Sequence, residues 1–218
     1  MESIKQLYKI GQGPSSSHTM GPRKAAERFI GLLGGDVPAR FEVKLYGSLA
    51  ATGRGHLTDV AVSDVLSRVA PTEILWAPDI VLPFHTNGMT FRALDAEGNV
   101  SATRTYFSIG GGDIVEEGET RSPGRSIYPL TKIQDILRWC EESGRSYWEY
   151  VDMYEEPDIW DYLHEVWTVM KEAVERGIEA EGVLPGGLGV RRKAVSYYVH
   201  AAGYSQSLRS RGLVYAYA

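Results

Sequence analysis

Three segments of this 218-residue chain set a histidine among hydroxyls or amides beside a Gly or Pro break. The first is Ser15-Ser16-Ser17-His18-Thr19, framed by Gly13-Pro14 and Gly21-Pro22. The second is Thr52-Gly53-Arg54-Gly55-His56-Leu57-Thr58-Asp59, and the third is Phe84-His85-Thr86-Asn87-Gly88. An imidazole changes charge near neutral pH, and hydroxyls can donate and accept at once. Loops of this kind therefore suit proton transfer on a small polar molecule.

Each loop also has a plainer reading. Ser and Thr are preferred helix caps and Pro22 suits a first helical turn, although a cap needs one hydroxyl and the first loop carries four. Gly53 and Gly55 allow close backbone approach to a ligand, and the helix opening at Thr58 or Asp59 would favour an anion. Equally, Thr58 caps that helix and His56 faces solvent. Asn87-Gly88 is a strong turn signal, and His85 alone belongs to that turn. Metal ligation by the three histidines is chemically open, but the surrounding hydroxyls favour an organic ligand. Gly110-Gly111-Gly112 is not a phosphate loop, because no Lys-Ser/Thr follows it and Asp113 would repel phosphate. His164 and His200 lie in helical stretches and read as surface or packing residues. Taken together, the three loops favour one binding or catalytic cleft.

The elements that must position these loops follow from periodicity. Ala25, Ala26, Phe29, Ile30 and Leu33 predict a helix from about 22 to 33, stopped by Gly34-Gly35. Phe41, Val43 and Leu45 alternate with Glu42, Lys44 and Tyr46 as a half-buried strand, broken at Gly47-Ser48. Val62, Val65, Leu66 and Val69 mark a helical stretch over 59–69. Short apolar runs at 74–76 and 80–84 follow, then 90–94 and 100–107 flanking a turn at Asp95–Asn99. Strands mixed with helices and hairpins predict an α+β domain over 1–118. A Gly-, Glu-, Arg- and Ser-rich linker takes 119–130, and a helical segment fills 131–218. There, Thr131 and Gln134 form a capping-box pattern, Gly144 stops that helix, 146–155 is a second short helix, and Asp158 caps a long third one.

The chain carries 28 acidic against 23 basic side chains and no basic run, which argues against nucleic acid as a partner. It is 43% hydrophobic and 11% aromatic, the composition of a folded globular protein. No apolar stretch reaches membrane-span length and the N-terminus lacks a signal-peptide core, so no membrane role and a cytoplasmic location are expected. The single cysteine, Cys140, allows no intrachain disulfide and reads as a buried structural thiol. One cysteine also falls short of the several thiolates that an iron–sulfur cluster takes.

The motifs together resemble the iron–sulfur-dependent L-serine dehydratases, or L-serine ammonia-lyases. The stretch from Gly11 to Pro22 resembles the signature of their N-terminal β domain, and that from Tyr46 to Asp59 a second family motif. His85-Thr86-Asn87-Gly88-Met89 and the stretch from Tyr106 to Gly112 are similar to two more. The stretch from Glu181 to Ala194 resembles the entry to the family's catalytic α domain. The resemblance implies a β-domain fold like the allosteric substrate-binding domain, and deamination of L-serine to pyruvate and ammonia. It also implies a 4Fe-4S cluster and no pyridoxal phosphate.

Carried over by motif, His56 is the base. Ser15, Ser16, Ser17, His18, Thr19 and Thr58 orient the amino acid, and His85 and Asn87 line the interface or effector pocket. The cluster cysteines are expected in the α domain, leaving no metal ligand in this chain. The segment Leu184-Pro185-Gly186-Gly187 and the ending Leu213–Ala218 then suggest a single-chain enzyme cut short, inactive alone and prone to self-association through unpartnered helices. A second class of function stays open: a non-catalytic L-serine-sensing or dimerisation domain.

Overall fold

The computed structural model describes residues 1–120, 124–185 and 189–204. Gly186, Gly187, Leu188 and the ending Leu213–Ala218, on which part of the sequence reading rests, lie outside them. The chain divides into two compact units: Gly11–Arg121 with Pro185–Gly189, and Met1–Ile10 with Ser122–Leu184 and Val190–Ala218.

The first unit is mixed α and β. A turn of π-helix, Ser16–Met20, runs into α1 (Gly21–Leu32), and β1 (Arg40–Tyr46) follows. Two helices come next, α2 (Gly47–Thr52) and α3 (Thr58–Leu66), then the strands β2 (Thr72–Ala77), β3 (Gly88–Leu94), β4 (Val100–Gly110) and β5 (Asp113–Glu116). The sheet order is β2-β1-β3-β4-β5, with β1 and β2 parallel and the remaining pairs antiparallel.

The expected alternation in β1 holds: Phe41, Val43 and Leu45 are fully buried. They meet Phe29 of α1, Val62 and Leu66 of α3, and Met89, Phe91 and Tyr106 of the sheet in one core. Burying side chains of this size contributes roughly 1.5–3 kcal/mol each, which makes this layer the rigid floor for the loops at its edge. The Asp95–Asn99 turn forms as expected, with the Asn99 amide donating to the Asp95 carboxylate at 2.7 Å.

Three local outcomes differ from the sequence pattern. The residues after Gly47 form the short helix α2 rather than a simple break, and Gly110–Gly112 turns the chain into a further strand, β5. The apolar run at 80–84 is a loop whose Ile80, Val81 and Phe84 are exposed.

The second unit is helical: α4 (Ile133–Ser143), α5 (Tyr147–Tyr154), α6 (Ile159–Glu179) and α7 (Ala194–Tyr204), with a 3-10 turn at Ile4–Gln6. Tyr128, Ile136 and Tyr150 form its small core. The capping box lies at Ser146 and Glu149 of α5, whereas α4 starts from Lys132 without a side-chain cap. Asp158 does precede α6, but its carboxylate meets Lys5 at 2.5 Å instead of capping. Cys140 is half-buried rather than buried, and its thiol is free. No helix among the described residues is long and apolar enough to cross a membrane.

Candidate functional site

The first two histidine loops are laced together in the α+β unit. Thr19 Oγ1 donates to the His56 carbonyl at 2.8 Å, and Thr58 Oγ1 donates to the His18 carbonyl at 2.6 Å. Each threonine is buried, 1% and 0% exposed, so each hydroxyl is spent on the opposite loop's backbone. This reciprocal tie fixes the backbones of His18 and His56 against one another. Their rings follow, with centroids 4.8 Å apart and planes inclined by 36°.

Local chemistry shapes the first loop. Ser15 is the N-cap of the π-helical turn: its Oγ accepts from the His18 amide at 3.1 Å. The helix-capping reading therefore holds for Ser15, which also approaches Ser17 Oγ at 3.4 Å. Ser16 is exposed and Ser17 half-buried. Single π turns of this kind are frequent at functional sites.

The His56 loop is held by backbone rather than by a cap. Leu57 is the sole non-glycine residue with positive φ among the described residues (φ 57), and it precedes α3 without a side-chain cap. Thr58 is thus the first residue of the helix and does not cap it. A left-handed leucine costs on the order of 1 kcal/mol, which the cross-loop bonds sustain. Gly53 is required by close approach: a Cβ there would overlap the Leu49 carbonyl and lie 2.9 Å from the Trp76 ring and 3.0 Å from Thr58 Oγ1.

The histidine nitrogens differ in what they offer. His56 Nδ1 lies 3.0 Å from the Thr52 carbonyl, which can only accept, so Nδ1 carries the proton. Neutral His56 therefore has its lone pair on Nε2, the nitrogen of a base. His18 meets Ser17 Oγ through Nδ1 at 2.9 Å and Ser48 Oγ through Nε2 at 3.2 Å. Burial, and then the charge of a protonated His56, push His18 below its ordinary value, partly offset by the Ser48 bond.

The third loop joins through backbone. The Ser48 amide donates to the Thr86 carbonyl at 3.2 Å. His85 Nδ1 accepts from the Asn87 amide at 3.1 Å, so that ring serves its own turn. Asn87 is 7% exposed and its Nδ2 donates to the Ser108 carbonyl at 3.3 Å. Its Oδ1, like Ser108 Oγ, is buried with no hydrogen-bond partner among the described residues. Ser108 presses on Gly21, where a Cβ would overlap its hydroxyl. Tyr106 Oη is a third such unpaired atom among the described residues. Buried polar atoms are nearly always paired, so the unpaired Ser108 hydroxyl against Gly21, at the start of α1, is a candidate ligand contact.

The structure thus gathers Ser15, Ser17, His18, Thr19, His56 and Thr58 directly, ties the His85–Asn87 turn to Ser48, and leaves the His85 ring in its own turn. Ser48 and Ser108 belong with them, though the sequence singled out neither. Both stand in the quoted motifs, but their roles depend on partners 30 and 21 residues away. Among the described residues no group of three or more His, Cys, Asp or Glu could hold a metal ion. With its one half-buried cysteine, this chain's donor set does not fit an iron–sulfur cluster.

Comparison with known proteins adds to this geometry. The family model for the serine dehydratase beta chain matches residues 3–77 and 66–119. An L-serine dehydratase of Streptomyces coelicolor is 36% identical over 96% of this chain and 55% of its own length. One from Mycobacterium tuberculosis is 37% identical over 90% of this chain and 52% of its own. L-serine dehydratase 1 of Escherichia coli is 33% identical over 89% and 53%. The chain spans about half the length of the curated relatives it matches.

Proposed function

The chain belongs to the serine dehydratase β-chain family, and on that premise we propose that it supplies the proton-abstracting and substrate-orienting side of an L-serine ammonia-lyase site. The observation that carries this reading is the 3.0 Å approach of His56 Nδ1 to the Thr52 carbonyl. With Nδ1–H on the Thr52 carbonyl, Nε2 holds an unspent lone pair in a loop braced by two buried hydroxyls.

In this reading His56 Nε2 takes the α-proton of L-serine. The β-hydroxyl leaves as water with the proton that His56 has taken, which restores the base, and the resulting aminoacrylate takes up one water to give pyruvate and ammonia. An imidazole with a free ring nitrogen is the side chain most often used as a general base, and such groups typically contribute ~100- to 10,000-fold in rate. Ser15, Ser16 and Ser17 orient the amino acid, while His85 and Asn87 belong to the interface or effector pocket. Thr19 and Thr58 act through the frame, since their hydroxyls are already committed.

The same proposal assigns a 4Fe-4S cluster, and no pyridoxal phosphate, to an α domain outside the residues described. Because the present donor set does not fit the cluster, no step is derived through it. Trp167 and Met170 of α6 and Tyr198 of α7 are exposed together, as on a face that packs against another protein surface, which supports an α-domain or oligomeric partner. A cytoplasmic setting belongs to the same reading.

The test pairs this chain with the half of the Streptomyces coelicolor relative that it does not cover, reconstituted without oxygen. L-Serine should yield pyruvate, and His56→Ala should lower turnover by about 100-fold or more while the cluster absorbance is kept. A His56→Ala mixture as active as the parent would refute the assignment.

A further inference from the structure

His18 has no ring nitrogen to offer a ligand. Nδ1 meets Ser17 Oγ at 2.9 Å and Nε2 meets Ser48 Oγ at 3.2 Å. Ser48 is itself anchored at the start of α2, its amide shared between the Thr86 carbonyl at 3.2 Å and Thr86 Oγ1 at 3.3 Å. A serine hydroxyl can donate or accept, so both bonds survive in either tautomer of a neutral His18. The ring is therefore pinned at two points on different elements.

That pinned ring lies against His56, with centroids 4.8 Å apart. The backbones beneath the two rings are locked by the reciprocal bonds of Thr19 and Thr58. Only side-chain torsions remain free for His56, and among the described residues the sole polar tie of its ring is Nδ1 to the Thr52 carbonyl, in an exposed setting. One exposed hydrogen bond is weak restraint for an imidazole.

We propose that His18 is a positioning residue for His56: anchored by Ser17 and Ser48, its ring is the wall that keeps His56 Nδ1 on the Thr52 carbonyl and so keeps the lone pair on Nε2. This moves His18 from holding the substrate to holding the base. Burial and the neighbouring imidazole both oppose a charge on His18, so the wall does not repel a protonated His56. The inference takes from the proposed function only that His56 is the reacting group.

The experiment reads the tautomer of His56 in the chain alone, by nitrogen-15 imidazole spectra above the titration range, with signals assigned through His56→Gln. In the parent chain, His56 should show one tautomer, protonated on Nδ1. In His18→Ala, the second tautomer should rise by about fivefold, the restraint of roughly one hydrogen bond. Ser48→Ala keeps both rings and removes one anchor, so it should move the ratio in the same direction by less. A folded His18→Ala that keeps the parent tautomer overturns the inference, as does a parent chain already showing both tautomers. Should His18→Ala fail to fold, an unchanged ratio in Ser48→Ala overturns it. The readout needs neither serine nor cluster, so failed turnover in the reconstituted pair leaves it untouched.

Discussion

The two units each gather polar side chains around one focus, and they finish the job differently. In the helical unit the focus is Glu155. Its Oε1 accepts from the Ile4 amide at 2.8 Å and from Tyr128 Oη at 2.5 Å, and its Oε2 accepts from Ser3 Oγ at 2.7 Å. In the α+β unit the focus is the His18–His56 pair, and there the pairing stays incomplete. Among the described residues His56 Nε2 carries an unspent lone pair, and Asn87 Oδ1 and Ser108 Oγ are buried without partners. A saturated cluster holds the fold, whereas an unfinished one is arranged for chemistry. Composition cannot separate them, since both mix hydroxyls with titratable side chains.

The largest effect that would sharpen this contrast is on stability. Glu155→Ala strips the acceptor from three donors, including Tyr128, which is 4% exposed. A loss of about 3 kcal/mol is expected in the unfolding of the helical unit. Tryptophan fluorescence reads it well, because Trp139, Trp148, Trp160 and Trp167 lie in that unit and only Trp76 in the other. In the α+β unit, read by amide protection in β1, His56→Ala should cost less than about 0.5 kcal/mol, since its half-buried ring carries little packing. Equal losses from the two variants would erase the distinction between a structural and a chemical cluster.

A middle-sized effect separates the units by pH. Burial pushes the Glu155 carboxyl up, but hydrogen bonds from Ser3, Tyr128 and Ile4 outweigh it and hold the group below its ordinary value of 4.5. A lowered carboxyl stabilises the fold above that value, and the gain is lost as pH falls through the folded value. His18 is also lowered, from 6.5, by burial first and then by the His56 charge. Its unfolded form takes up a proton before the folded form does. The α+β unit therefore has its full stability above pH 6.5 and starts to lose it as pH falls below that. Amide protection in β1, taken relative to the intrinsic exchange rate at each pH, should fall below pH 6.5, while the helical fluorescence midpoint holds until below pH 4.5. Simultaneous loss in both units would show that His18 does not set the earlier transition.

What the sequence revealed was the local part. The alternation of Phe41, Val43 and Leu45, the spacing in α1, and the Asp95–Asn99 turn each depend on neighbours a few residues apart. The three loops were legible as chemical because hydroxyls and imidazoles recur beside glycines. Their wiring was not. The left-handed backbone of Leu57 follows from ties 37 and 40 residues away, made by Thr19 and Thr58. The capping box assigned to Thr131 and Gln134 formed instead at Ser146 and Glu149, because α4 begins one residue later than that pattern requires and puts Lys132, which has no capping hydroxyl, at its N-cap. In the sequence Ser108 reads as one residue of a glycine-rich motif, and only the fold sets it against Gly21.

The smallest expected effect tests the unfinished cluster most directly. Ser108→Ala removes a hydroxyl that is fully buried and bonded to nothing among the described residues. Deleting a paired group leaves its partner stranded, but deleting an unpaired one removes a desolvation cost. The lost oxygen leaves little space, because Ser108 is already pressed on Gly21. Stability of the α+β unit should therefore be unchanged or higher by up to about 1 kcal/mol, read from the denaturant midpoint of amide signals in β3 and β4. L-Serine added to the parent chain, followed by calorimetry, gives the companion measurement. If that hydroxyl is kept for a ligand, Ser108→Ala should weaken whatever binding the parent shows while leaving the fold no worse. A destabilisation approaching that of Glu155→Ala would mean the hydroxyl already carries a bond, and the two clusters would then differ in degree only.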